Sequence, residues 1–292
     1  MKEQLIYQFT GAGNNFVVID GREGGVDEYR QVPRIRQLCQ EYKTDGLMIL
    51  RDARSEPGMT PCHPRPDRGS HPDVVMEFYN PDGSGGMMCG NGGRCIVAFA
   101  DYLGLKPAAP DGTWHFLAPD GMHTAQILDR SIASGGTPFA SLTPVCKWIV
   151  RLKMIDVHGV TPVLNGYFLN TGTRHYVQFV KDVDSIDMEE QAKPIRWAQE
   201  FQPEGTNVNF VEVTPEGLKV RTYEKGVEGE TLACGTGITA SAIAACCAQI
   251  PDQVGGEYRL QCRRGDWLSV EFQQDGQNYT EVYLTGPAEL IH

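Results

Sequence analysis

Cys89 and Cys234 each open a short glycine-rich run, Cys89-Gly90-Asn91-Gly92 and Cys234-Gly235-Thr236-Gly237, and each run leads into a small-residue apolar stretch. No charged residue occurs from position 232 to position 251. A helix that is apolar on all sides is buried, not amphipathic, so this stretch is expected to form a central helix wrapped by strands. The first stretch, helical from about 90 to 103, carries Arg94 and Asp101 but keeps a broad apolar stripe through Cys95, Ile96, Phe99, Ala100 and Leu103. Cys234 follows Cys89 by 145 positions in a chain of 292. A repeat of that period predicts two similar α/β lobes, each placing a thiol at the start of a helix.

The remaining pattern is read as strands interleaved with few helices. Apolar and β-branched runs predict strands near 5–9, 15–20, 47–51, 74–79, 145–150, 163–169, 175–180, 207–213, 218–224, 267–272 and 281–284. Helices are expected at 33–43 and 188–201, and a hairpin at Pro119-Asp120-Gly121. Five prolines between 57 and 72 preclude regular structure over 52–73, which reads as a surface loop or insertion. The weakly hydrophobic stretch 129–144 is the expected linker, dividing an N-terminal lobe (1–130, with Cys89) from a C-terminal lobe (131–277, with Cys234).

Composition narrows the function classes. The net charge is −11 and no Lys/Arg cluster stands out, against nucleic-acid or anionic-membrane partners. The N-terminal residues lack the apolar core of a signal peptide, and no apolar run is long enough to span a bilayer. A cytoplasmic location is the expectation. Nine cysteines then read as reduced thiols, not as a disulfide framework. Their spacings suit no zinc site, so no metal is expected.

A free cysteine is usually a small core residue, the reading adopted for Cys39, Cys95, Cys146, Cys246 and Cys247. Cys89 and Cys234 differ in context. The start of a helix carries roughly half a positive charge and lowers a thiol's pKa. The glycines that follow let a ligand approach the backbone and leave amides at which a carboxylate can bind. Two such thiols facing one cleft can take a proton from one face of a carbon and return one to the other, which is two-base racemisation or epimerisation. A reversible-disulfide redox protein and a catalytically silent binding protein remain alternatives, although no Cys-x-x-Cys is present. Other candidates are Asn14 after a glycine turn, Asn80 before Pro81-Asp82-Gly83, His175 at a strand start, and Glu224-Lys225 at a strand end. Each has a plainer reading as a turn former, a surface residue or a solvated charge.

At these residues the sequence resembles the diaminopimelate epimerases, cofactor-independent two-cysteine enzymes. The matching segments are Gly11-Ala12-Gly13-Asn14-Asn15-Phe16, Asn80-Pro81-Asp82-Gly83-Ser84 through Cys95, Tyr223-Glu224-Lys225-Gly226 through Gly237, and Val282-Tyr283-Leu284-Thr285-Gly286-Pro287. The resemblance implies two pseudo-symmetric lobes, each a β-barrel-like sheet around a central helix, with the C-terminal strand (about 278–292) returning to the first lobe. It implies Cys89 and Cys234 as the acid–base pair, with His175 and Glu224 tuning them. Gly90, Asn91, Gly235 and Thr236 would hold the reacting carboxylate, and Asn14, Asn80, Asn207, Glu224 and Lys225 the other substrate groups. The family's usual reaction interconverts LL- and meso-diaminopimelate on the route to lysine and peptidoglycan, with no cofactor. Oligomeric state stays open, a homodimer being one option. Lys225 stands where the family typically has arginine, Thr173-Arg174 precede His175 where asparagine or serine and then proline are usual, and Gly46 replaces a glutamine of some members. A racemase of the same fold acting on another amino acid is therefore the nearest alternative.

Overall fold

β1 (Ile6–Gly11) and β2 (Asn14–Asp20) form an antiparallel hairpin. Its two-residue turn, Ala12-Gly13, has positive φ at both positions, 50° and 111°. That geometry matches the twist of the flanking strands and fixes the register that sets Gly11 opposite Asn14. The computed structural model describes residues 5–53, 71–85, 89–133, 145–252 and 255–291. Its contacts divide the chain into two units, Met1–Leu152 with Pro287–His292, and Lys153–Gly286.

In the first unit, α1 (Val32–Tyr42), with proline in its first turn, is the crossover that lets β3 (Gly46–Asp52) run parallel to β2. Ile35, Leu38 and Cys39 of α1 pack with Val17, Ile19, Leu47 and Ile49 of the two strands. β4 (Val74–Tyr79) returns antiparallel to β3. After α2 (Gly90–Tyr102), β5 (Trp114–Ala118) lies parallel to β4, and β6 (Gly121–Ala133) and β7 (Val145–Lys153) continue antiparallel. The last strand of the chain pairs with β7 and, through Leu290 and Glu289, with β1. These eight strands close into a barrel. α2 runs inside it against β1, β2, β3 and β6, so every residue from Gly90 to Asp101 is buried. At the far end of α2, Asp101 accepts Trp148 Nε1 at 2.8 Å and pairs with Arg130.

The second unit repeats this order around α4. It opens with β8 (Val157–His158), β9 (Thr161–Val163) and β10 (Gly166–Asn170). β11 (Arg174–Val180) is antiparallel to β10. α3 (Met188–Arg196), capped by the Asp187 side chain, crosses over to β12 (Asn207–Thr214), parallel to β11. β13 (Gly217–Glu224) returns antiparallel and carries the short β14 (Gly229–Thr231) on its edge. After α4 (Gly235–Cys247), β15 (Glu257–Gln261) is parallel to β13, and β16 (Trp267–Asp275) and β17 (Asn278–Leu290, the last strand) are antiparallel neighbours. α4 lies against β10 to β13, β15 and β16, and its residues from Gly237 to Ala245 are buried.

Several expectations are corrected. The stretch 129–144 is not a linker throughout: 129–133 belong to β6, which pairs with β7 through Ala133 opposite Val145. The units therefore divide at 152/153 and 286/287. The run 163–169 is a hairpin, turning at Leu164-Asn165 with Leu164 at φ 50°. The helix 188–201 stops at Arg196, two residues past Pro194, and only a 3₁₀ turn follows at Gln199–Phe201. Positions 54–70 and 134–144 lie outside the described residues. Among the described residues no helix is long and apolar enough to cross a membrane.

Candidate active site

Cys89 is the N-cap of α2, in extended conformation (φ −87°, ψ 128°), and its carbonyl accepts the amide of Gly93 at 2.8 Å. Its side chain makes no capping hydrogen bond to the first-turn amides, which lie at the positive end of the helix dipole. The β1–β2 hairpin sits directly on this turn. A Cβ at Gly11 would lie 2.8 Å from Asn91 O and 3.0 Å from Cys95 Sγ, which is why glycine is required there. Burial pushes the Cys95 thiol up, and it is fully enclosed; it stays protonated and acts as packing.

Asn91 is buried, and Arg94, also buried, donates Nη2 to Asn91 Oδ1 at 2.8 Å. A guanidinium only donates, so the amide oxygen of Asn91 faces Arg94. The Asn91 nitrogen then donates to Asn14 Oδ1 at 2.6 Å. Asn14 is thereby oriented with its Oδ1 toward Asn91 and its NH₂ group turned away from it. Asn80 follows β4 and holds a tight turn: its backbone N–H and Nδ2 donate to Ser84 O and Oγ at 2.8 and 3.0 Å. Glycine at position 83 has φ 85°.

In the second unit Cys234 caps α4 in the same way (φ −127°, ψ 108°), accepting the amide of Ile238 at 2.9 Å. Its sulfur lies 3.4 Å from Thr236 Oγ1, which lies 2.9 Å from Nε2 of the buried His175. Burial lowers the His175 pKa to about 3, so the ring is neutral. Nε2 also faces Thr173 Oγ1 at 3.2 Å. Thr173 accepts Asn207 Nδ2 at 2.7 Å, and Asn207 Oδ1 accepts the Lys225 amide at 2.7 Å. One hydrogen-bond network thus links Cys234, Thr236, His175, Thr173, Asn207 and the Lys225 backbone. Both amide hydrogens of Asn207 are engaged, the second by Arg174 O at 2.8 Å. Asn207 therefore clamps β11 to the turn after β13. The Lys225 side chain is exposed and Glu224 is half-buried. Glu228 shapes that turn, accepting Gly226 N at 3.1 Å and Nη2 of the buried Arg196 at 2.8 Å.

The first unit thus gathers Asn14, Gly90 and Asn91 at the Cys89 cap, and places Asn80 just after β4. The second gathers His175, Asn207, Gly235 and Thr236 at the Cys234 cap, with Glu224-Lys225 on the adjoining turn. Sequence reasoning missed Arg94 and Asn209 as parts of these sites. A signal for each existed: Arg94 is a charge inside an otherwise apolar helix start, and Asn209 repeats Asn207 at a spacing of two, on the same face of β12.

The family model for diaminopimelate epimerase matches residues 167–291. The diaminopimelate epimerase of Flavobacterium psychrophilum is 34% identical over 290 residues, covering 98% of this chain and 97% of that one. That of Aquifex aeolicus is 35% identical, covering 96% and 93%. Among solved structures, a phenazine biosynthesis protein of the PhzF family from Bacillus anthracis superposes with a TM-score of 0.63 over 98% of this chain and 96% of its own, at 11% identity, a likeness of fold alone. With relatives at this identity matching over nearly their whole length, the chain belongs to the diaminopimelate epimerase family.

Proposed function

We propose that the protein interconverts LL- and meso-2,6-diaminopimelate by two-base proton transfer, with Cys89 and Cys234 as the two bases and no cofactor. The observation that carries this reading is the repeated cap: each cysteine N-caps a buried helix, in two units with the same strand order. The reaction requires the two sulfurs to reach opposite faces of one α-carbon. One thiolate removes the α-proton, and the other thiol delivers a proton to the opposite face. Proton exchange with water, or catalysis of the reverse reaction, returns the pair to its starting protonation.

An α-amino acid is a very weak carbon acid, so negative charge developing on the reacting carboxylate must be stabilised. The amides at Gly90-Asn91 and Gly235-Thr236, at two helix N-termini, supply preorganised donors for it. The Asn14 NH₂ group, Asn80, Glu224 and the Lys225 ammonium hold the remaining amino and carboxylate groups. Asn207 contributes chiefly by anchoring the Lys225 turn. His175, neutral, acts on Cys234 through Thr236.

The exposed lysine at 225 favours one second reading, a racemase of another amino acid. The experiment is α-proton exchange in D₂O over a panel of amino acids with nothing added. Diaminopimelate exchanging fastest supports the assignment. A monocarboxylic amino acid exchanging faster would refute the substrate and leave the two-thiol chemistry standing.

A further inference from the structure

We propose that Asn209 is a positioning residue for Cys234: it holds His175 as the Nε2–H tautomer, so that a donor chain runs from His175 through the Thr236 hydroxyl to the Cys234 sulfur. The inference rests on the proposed role of Cys234 as an acid–base thiol.

Asn209 lies in β12 and is fully buried. Its Nδ2 is 2.9 Å from Tyr176 O and 3.0 Å from His175 Nδ1. A backbone carbonyl only accepts, so the amide atom facing Tyr176 is the nitrogen. On the other side Oδ1 accepts the Thr222 hydroxyl at 2.9 Å. The amide is therefore locked from both ends. One of its hydrogens goes to Tyr176 O, and the other points at His175 Nδ1, which must be bare to receive it. A neutral imidazole with bare Nδ1 carries its proton on Nε2.

Nε2–H then donates toward Thr236 Oγ1, the nearer of its two hydroxyl neighbours at 2.9 Å. A hydroxyl that accepts this proton keeps its own to donate, and Cys234 Sγ stands 3.4 Å away. A hydrogen bond to the charged form favours that form, so the chain stabilises a thiolate at Cys234. The corresponding position after Cys89 is Asn91, whose amide is directed to Asn14 and Arg94 instead. The two caps share a backbone but differ in this polar relay, which makes the pair asymmetric.

The test uses the whole chain labelled with ¹⁵N-histidine, the His175 signals being identified by their loss in His175→Gln. The wild type is expected to show Nε2 protonated and Nδ1 bare, and Asn209→Asp, which sets a carboxylate against Nδ1, to move the proton to Nδ1. In parallel, alkylation of Cys234 by iodoacetamide at neutral pH is followed by peptide mass. Asn209→Asp and Thr236→Val should each slow it about tenfold, the loss of one hydrogen bond to a charged group, with Cys89 alkylation unchanged. Thr222→Ser, which keeps the hydroxyl, should retain the wild-type tautomer and rate. An Nδ1–H or doubly protonated ring in the wild type overturns the proposal. So does a Cys234 rate that ignores Thr236→Val, a variant that leaves Asn209 untouched should Asn209→Asp fail to fold. Absence of diaminopimelate turnover, with tautomer and alkylation as expected, would instead refute the proposed reaction.

Discussion

Asn91 donates to Asn14 Oδ1 across 2.6 Å, and Arg94 fixes the direction of that bond by holding the Asn91 oxygen at 2.8 Å. The buried guanidinium thus sets which way the Asn14 amide faces. Asn14→Asp keeps the acceptor for Asn91 but offers substrate a negative charge in place of an N–H group. Its KM for diaminopimelate should rise roughly tenfold to a hundredfold, the range for a lost charge-assisted hydrogen bond, with little change in Tm. Arg94→Met leaves Asn91 Oδ1 buried without its donor and should cost about 1–3 kcal/mol of stability, read from urea unfolding.

Lys225 is held at its backbone, by Asn207, while its side chain is exposed. Substitution should therefore leave the turn in place. Lys225→Met should raise KM for diaminopimelate by about tenfold to a hundredfold, and Lys225→Arg should retain activity, since it keeps the charge and adds a bidentate fork. An unchanged kcat/KM in Lys225→Met would make Lys225 a solvated strand-end charge.

His175 titrates far below its ordinary value of 6.5, at about 3, because burial disfavours the imidazolium. Between those two values the unfolded chain binds a proton that the folded chain refuses. Its contribution is thus fully present above pH 6.5 and is lost progressively as the pH falls toward 3, by up to about 1.4 kcal/mol per pH unit. His175→Gln should flatten the fall in urea midpoint across this window. An equally steep fall in the variant would mean that other groups govern acid unfolding.

Gly237, in the first turn of α4, faces the Asn209 amide. An added Cβ would lie 2.5 Å from Asn209 Oδ1 and 3.2 Å from Thr222 Oγ1, closer than packed atoms tolerate. Gly237→Ala should dislodge that amide and lower kcat for diaminopimelate more than it changes KM, as stopped-time assays of product would show.

The fold was legible where one physical signal dominated. The charge-free run around α4 announced a buried helix, and the duplicated Cys-Gly-x-Gly announced the repeat of units. The elements misread were those with competing signals. Val163-Leu164 continues an apolar run, yet the chain turns at Leu164-Asn165, where Asn165-Gly166 is a turn-forming dipeptide. β15 hides its inward Tyr258 and Leu260 between Glu257, Arg259 and Gln261, so its charged residues mask the alternation. At the two caps, the cysteine-opened helix starts were legible from local motif; His175, which read locally as a surface residue, is buried, and the contacts of Asn209 and Arg94 were not legible. Their roles depend on partners 34 and 77 positions or more away, Asn209 through His175 and Arg94 through the Asn91–Asn14 pair, and no local pattern encodes such a partner.

The central claim, that two thiols divide the proton transfer, is tested most directly by single substitution. Cys89→Ala and Cys234→Ala are each assayed for interconversion of LL- and meso-diaminopimelate, without added cofactor, beside a Tm measurement. The account predicts that each variant stays folded and that each loses epimerisation. Near-normal turnover by either folded variant would contradict it.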